Sequence, residues 1–159
     1  MPTLPIVTEP NPILRKKAEI IKNPLFSAVQ ELIPKLTETM IQEDGIGIAA
    51  PQVGESIQMI IINQKDRPLV MINPKILTKS IRTEIAEEGC LSVPGIFGMV
   101  KRSKKVKVNA LDSSGKQFTI KAEGLLARVM QHEIDHLNGI LFIDKMVKKT
   151  RDPEEDNIL

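Results

Sequence analysis

The sequence contains no tryptophan and no tyrosine, and four phenylalanines (Phe26, Phe97, Phe118 and Phe142) are its whole Phe/Trp/Tyr complement. Binding of single-stranded nucleic acid by base stacking needs aromatic platforms, so direct nucleic-acid binding is not expected. A single cysteine, Cys90, excludes an intramolecular disulfide and points to a reducing, cytoplasmic compartment. No apolar run approaches the roughly 20 residues that span a bilayer. The segment from Met1 to Thr8 has no basic stretch followed by a long hydrophobic one, so neither a secretory signal nor a membrane partner is expected. The formal net charge is +2, too small to imply a polyanionic partner. Histidine is also scarce, with two in the chain.

What is present is enough for one domain over residues 1–159, with 42% hydrophobic residues to fill an aliphatic core. Prolines 2, 5, 10 and 12 punctuate the start, which should run extended with at most a short helical turn after Pro12. Asn23-Pro24 has the form of a helix start. Behind it Val29, Ile33, Leu36 and Met40 recur at helical spacing towards Gly45, and Pro34 predicts a kink or break. Met59–Ile62 and Leu69–Ile72 are short apolar runs of strand type. Lys105–Leu111 alternates, Asp112-Ser113-Ser114-Gly115 is a turn, and Phe118, Ile120 and Ala122 alternate again, which predicts a β-hairpin. From Leu125 the period becomes helical, with Leu125, Val129 and Met130 assigned to the buried side and Gly139 placed to end the helix. Beyond Lys145 the chain is charged, contains Pro153, and is expected to be mobile past about residue 150. Helix, antiparallel strands, then helix is an α+β pattern, not alternating βαβ.

Both histidines fall in His132-Glu133-Ile134-Asp135-His136, inside that last helix. Residues four apart on a helix are neighbours about 6 Å apart along the axis, so both imidazoles can reach one ion. Glu133 is one residue round from His132, where its carboxylate can address a water instead of the ion. A hydrolytic zinc-type site takes three protein ligands and leaves one position for solvent. Downstream there is no further histidine, and Glu154 and Glu155 are the only glutamates, so Cys90 in Glu87-Glu88-Gly89-Cys90-Leu91-Ser92 is the better third ligand. A thiolate with two imidazoles suits Zn, Fe or Co, not Mg or Ca.

The segment Gly45-Ile46-Gly47-Ile48-Ala49-Ala50-Pro51-Gln52-Val53-Gly54 looks at first like a dinucleotide-binding loop. Its third glycine position is Ala50, a proline follows, and a helix precedes it, so the required strand–loop–helix context is missing. Taken with EEGCLS and QHEIDHLNG, in that order, GIGIAAPQVG resembles the signature segments of peptide deformylases, and the resemblance covers nearly the whole chain. It implies antiparallel sheets wrapped around the helix that carries the histidines. It implies hydrolysis of the N-formyl group from formylmethionine at the start of nascent proteins, with release of formate. By that resemblance Cys90, His132 and His136 match the metal ligands, Glu133 the general acid/base, and Gln52 and the Leu91 backbone N–H the oxyanion donors. Gly47 and Gly89 match substrate contacts, and Ile46, Leu125 and Val129 match the lining of a methionine pocket. One divalent ion is implied, natively Fe²⁺, with Zn²⁺, Ni²⁺ or Co²⁺ able to substitute. Phe97 and Gly98 depart from many bacterial members, which carry other residues there, arginine included. The short acidic tail lacks the longer basic helix that many relatives use at the ribosome, so ribosome proximity is expected without a docking helix. Nothing in the chain suggests more than a monomer.

Arg102 is a candidate partner for Glu88, holding the turn that carries the thiolate. Two rivals follow from the bare motif. A metallopeptidase cutting internal bonds would keep metal and activity after Cys90→Ala. A non-catalytic metal module would be indifferent to Glu133→Ala.

Overall fold

The computed structural model describes residues 3–156. Strands β1 (Gly47–Ala49), β2 (Met59–Asn63), β3 (Pro68–Lys79), β6 (Lys105–Leu111) and β7 (Gln117–Glu123) form one sheet in the order β1-β2-β3-β6-β7. Strands β4 (Thr83–Cys90), β5 (Val93–Ser103) and β8 (Met146–Arg151) form a second, in the order β4-β5-β8. Every pairing in both sheets is antiparallel. Two long helices complete the fold, α1 (Ser27–Gln42) and α2 (Gly124–Leu137). The α+β class expected from the sequence is the class found.

Strand β2 explains the layering. Met59, Ile60, Ile61 and Ile62 are all buried, because alternate side chains leave opposite faces of the strand and both faces are covered. Ile60 and Ile62 join Met71, Val108, Met130 and Ile134 under α2, whereas Met59 and Ile61 join Leu32, Leu36, Met40 and Ile72 under α1. Helix α2 is therefore enclosed along its apolar side, and nine of its fourteen residues are buried, among them Arg128, Gln131, Glu133 and His136. Buried polar groups on a helix need partners, and those partners come largely from the second sheet. Leu14, Val93, Val100, Leu141 and Phe142 form a third apolar cluster behind that sheet.

The hairpin β6–β7 occurs where the alternation put it, with Lys105 opposite Glu123 and Leu111 opposite Gln117. The turn is held by the Asp112 carboxylate, which accepts from the backbone N–H groups of Ser114 and Lys116. The turn after Pro12 is a single 3-10 turn, Pro12–Arg15, capped by Asn11.

Three expectations need correction. Helix α1 is not broken at Pro34 but runs through it, from Ser27 to Gln42. The proline removes one backbone donor, at a cost of about 3 kcal/mol in a helix interior, and burial of Val29, Leu32, Leu36 and Met40 outweighs it. Asn23 does not cap α1; it closes a turn ahead of the helix by accepting from the Leu25 N–H, and the helix begins at Ser27. Leu125 is 65% exposed, so it lies off the buried stripe of α2. The charged stretch after Lys145 includes a strand, β8, which pairs with β5 from Phe97↔Arg151 to Val100↔Met146. Of the tail expected to be mobile, residues 157–159 lie outside the described residues.

Candidate active site

Strand β4 ends at Cys90, a tight turn follows at Leu91-Ser92, and α2 runs alongside. This brings Cys90 and the two histidines together across 42 and 46 residues of sequence. The Cys90 Sγ lies 3.3 Å from His136 Nε2, and one ligand atom from each of Cys90, His132 and His136 falls within 4.8 Å of the others. Tetrahedral bonds of about 2.3 Å to sulfur and about 2.0–2.1 Å to nitrogen place such donors roughly 3.3–3.6 Å apart. The three side chains therefore fit one ion.

Electrostatics agree with geometry. Burial opposes a charge on His132, but the Cys90 sulfur, Glu88 and Glu133 outweigh it and raise the pKa to about 10. His136 goes the other way: burial, and then the charge on His132, hold it well below its ordinary value. Both shifts belong to the metal-free side chains, and a bound cation would take the place of the proton on His132.

His132 is fixed from two sides. Its Nδ1 pairs at 2.8 Å with Glu88 Oε1, and its ring stacks on buried Phe142. With Nδ1 engaged, Nε2 is the nitrogen that faces the sulfur. Glu88 is itself gripped by Arg102, whose Nη2 and Nε donate to Oε1 and Oε2 at 2.9 and 3.0 Å. Burial alone would raise the Glu88 pKa, but the hydrogen bonds from His132 and Arg102 reverse it and keep the carboxylate ionised. The Arg102–Glu88 pair expected from the sequence is present, and Arg102 also donates to Asp135 of α2.

Glu133 is 4% exposed, and burial first of all raises its pKa to about 7. Its Oε2, like His136 Nδ1, is buried without a hydrogen-bond partner among the described residues. A carboxyl with a pKa near neutrality and a free lone pair is equipped to exchange a proton with a bound molecule. Gly47 in β1 lets the backbone pass close by. A methyl at that position would stand 2.8 Å from Val129 Cγ1 and 2.9 Å from Glu133 Oε1.

Gln52 is oriented by its own loop. The Ala49 N–H donates to Oε1 at 2.9 Å, which turns the amide Nε2 towards Ser92 Oγ at 3.2 Å and Cys90 Sγ at 3.5 Å. A cleft of about 560 Å³ opens beside these groups, and Ile46, Gly47, Gln52, Gly89, Cys90, Leu91, Leu125, Val129, His132 and Glu133 all line it. Its wall is thus built mainly from residues named in the sequence. His136 is buried behind the cleft and is not among its lining residues. Ile46 is 55% exposed and, with Leu125, forms the mouth, whereas Val129 is buried deeper. Gly89 accommodates Phe97, because a Cβ there would overlap the phenyl ring at 2.5 Å.

A family model for polypeptide deformylase matches residues 3–152. The chain belongs to that family. It is 49% identical to the peptide deformylase of Halothermothrix orenii over 150 residues, which cover 93% of this chain and 96% of the relative. It is 47% identical to that of Syntrophomonas wolfei over 143 residues, or 90% and 93%. Among solved structures, the peptide deformylase of Thermotoga maritima superposes with a TM-score of 0.88 at 41% identity, over 92% of this chain and 99% of that one. The enzyme from Synechococcus elongatus in complex with actinonin gives 0.88 at 39% identity, over 98% and 82%. A family of metal-dependent enzymes and a preassembled Cys/His/His cluster point to the same centre.

Sequence reasoning missed Arg128, Asp135 and Ser92, all of which contact the site's own residues. For Arg128 a signal existed. It precedes His132 by one helical turn, so a charged residue was due on the stripe that carries the histidine.

Proposed function

We propose that this chain hydrolyses the N-formyl group of the N-terminal formylmethionine of nascent proteins, releasing formate and a free amine, and that residues 1–159 act as one catalytic domain. The observation that carries the reading is the convergence of Cys90, His132 and His136 beside a buried carboxyl in an open cleft. Cys90, His132 and His136 would hold the metal, and Glu88, Arg102 and Phe142 keep His132 in place. When bound, a divalent ion supplies Lewis acidity and lowers the pKa of water from about 15.7 towards 7.

Glu133 accepts the proton of the attacking water as the new C–O bond forms at the formyl carbon. Its pKa of about 7 leaves it able to give that proton to the departing nitrogen as the C–N bond breaks. The Gln52 Nε2–H and the Leu91 N–H stabilise the negative charge that grows on the formyl oxygen. One such donor is commonly worth about 10²–10³ in rate. Gly47 and Gly89 offer backbone to the peptide. Leu125, Val129 and Ile46 receive the methionine side chain, Val129 deepest and the other two at the rim. A formyl hydrogen fits where an acetyl methyl would clash, although one methyl separates substrates by only about 10–200-fold.

Ferrous iron is the native metal in this reading, with zinc, nickel or cobalt as replacements, because a mixed thiolate–imidazole set suits all of them. The enzyme works as a cytoplasmic monomer on chains still close to the ribosome. Among the described residues no helix is long and apolar enough to cross a membrane.

The test is purification without oxygen, metal analysis, and measurement of formate released from a formyl-Met tripeptide and of acetate released from its acetyl counterpart. Formate from the first is expected, with the second cleaved at least about 10–200-fold more slowly. Cys90→Ala should lose metal and activity together; retention of both would favour the peptidase alternative and sink this reading.

A further inference from the structure

The metal ligands come from two elements, Cys90 from β4 and the histidines from α2, so the site is only as well formed as the join between them. Arg128 sits in that join. It is 9% exposed on α2, one turn before His132, and forms part of the cleft wall. Its Nη1 donates to Glu88 Oε2 at 2.7 Å and to the Val100 carbonyl at 2.9 Å, and its Nη2 donates to the Glu84 carbonyl at 2.7 Å. One guanidinium therefore ties α2 to a side chain and a carbonyl of β4 and to a carbonyl of β5.

The contact with Glu88 completes a count. A carboxylate offers about four acceptor positions. Arg102 Nη2 and His132 Nδ1 take two on Oε1, and Arg102 Nε and Arg128 Nη1 take two on Oε2. With all four filled, the carboxylate has one orientation, and that orientation directs His132. Glu88 is also two residues from Cys90, so the same clamp sets the end of β4 that carries the sulfur.

We propose that Arg128 is a positioning residue of the metal site, which holds Glu88 and the two ligand-bearing elements in register. This rests on the Cys/His/His reading above. Groups that orient metal ligands typically contribute about 10–100-fold to affinity or activity. A planar fork that serves three acceptors at once is not reproduced by an ammonium group.

The test uses cobalt(II) as the probe, titrated into metal-free full-length chain against a competing chelator, with the thiolate-to-cobalt absorption as signature. Arg128→Met should weaken cobalt binding about tenfold or more and lower kcat with little change in KM. Arg128→Lys should fall between it and the wild type. A role in folding alone would lower the melting temperature of the metal-free protein and leave affinity below the transition untouched. A folded Arg128→Met chain with wild-type affinity and spectrum overturns the inference alone. If that variant does not fold, Arg128→Lys decides, weaker binding supporting the clamp and wild-type binding overturning it. A wild-type chain without the thiolate-to-cobalt band, or one matched by Cys90→Ala, overturns the metal site and this inference together.

Discussion

At the scale of single residues, the site depends on side chains whose chemistry is set by burial. Glu133 lies next to His132 in sequence, yet it is the enclosure of the carboxyl that lifts its pKa to about 7. Glu133→Ala should keep the metal, because its carboxylate is not one of the clustered ligand atoms. It should reduce kcat about 10²–10⁴-fold; metal analysis and formate release on the same preparation check both halves. Gly47 matters through what it lacks. A methyl there meets Val129 and Glu133 at under 3 Å, so Gly47→Ala should cut kcat/KM at least tenfold with metal content unchanged, as read by steady-state kinetics. The proposed roles of Cys90, His132, His136 and Glu133 follow from residue chemistry and helix spacing, whereas that of Gln52 follows from the family resemblance alone. Arg128 was legible only as a charged residue one turn before His132; its role was not, because its partners are two strand carbonyls and a carboxylate far away in sequence.

Among the elements, the well-patterned ones were legible and the compromised ones were not. Strand β6 carries unbroken alternation and occupies Lys105–Leu111, the residues expected of it. Strand β5 contains Pro94, Gly95 and Gly98, and β8 reads Met-Val-Lys-Lys-Thr-Arg with mostly exposed side chains. Neither has an apolar period to read, since a strand of this kind forms by pairing with a neighbour and not by local preference. Helix α1 is the reverse case, a strong apolar stripe carried across an unfavourable residue. Pro34→Ala should restore a donor for the Gln30 carbonyl without disturbing the buried stripe. Chemical denaturation should then show a gain of about 1–2 kcal/mol, after allowance for the looser unfolded chain. A loss would mean that the proline relieves strain instead.

For the molecule as a whole, two connections decide how stability responds to conditions. The first is the proposed metal, which would join β4 to α2 in the folded state and should raise the melting temperature as its concentration rises. Chelation under anaerobic conditions should lower it, and readdition of ferrous iron should restore it. The second is the Arg15–Asp144 pair, which ties the N-terminal turn to the segment after α2. Burial would raise the Asp144 pKa, but the Arg15 hydrogen bond and the Leu141 N–H outweigh it and leave it depressed. Its stabilising contribution is therefore present above the unfolded value, near 3.9, and is lost as pH falls through the lower folded value. Asp144→Asn should cost a fraction of a kcal/mol at neutral pH, as partly exposed pairs do, and the gap from wild type should close in acid; melting curves at pH 7 and below pH 3 measure it. The sequence by itself determined the reactive groups, the α+β class and the place of the β6–β7 hairpin, since each follows from local spacing and residue chemistry. Only the tertiary structure decided that Arg128 would join Arg102 on Glu88, that β8 would join β5, and that the Glu133 carboxyl would be held near neutrality. Those outcomes depend on distances between residues far apart in the chain and on exclusion of water, and neither is encoded in any short segment.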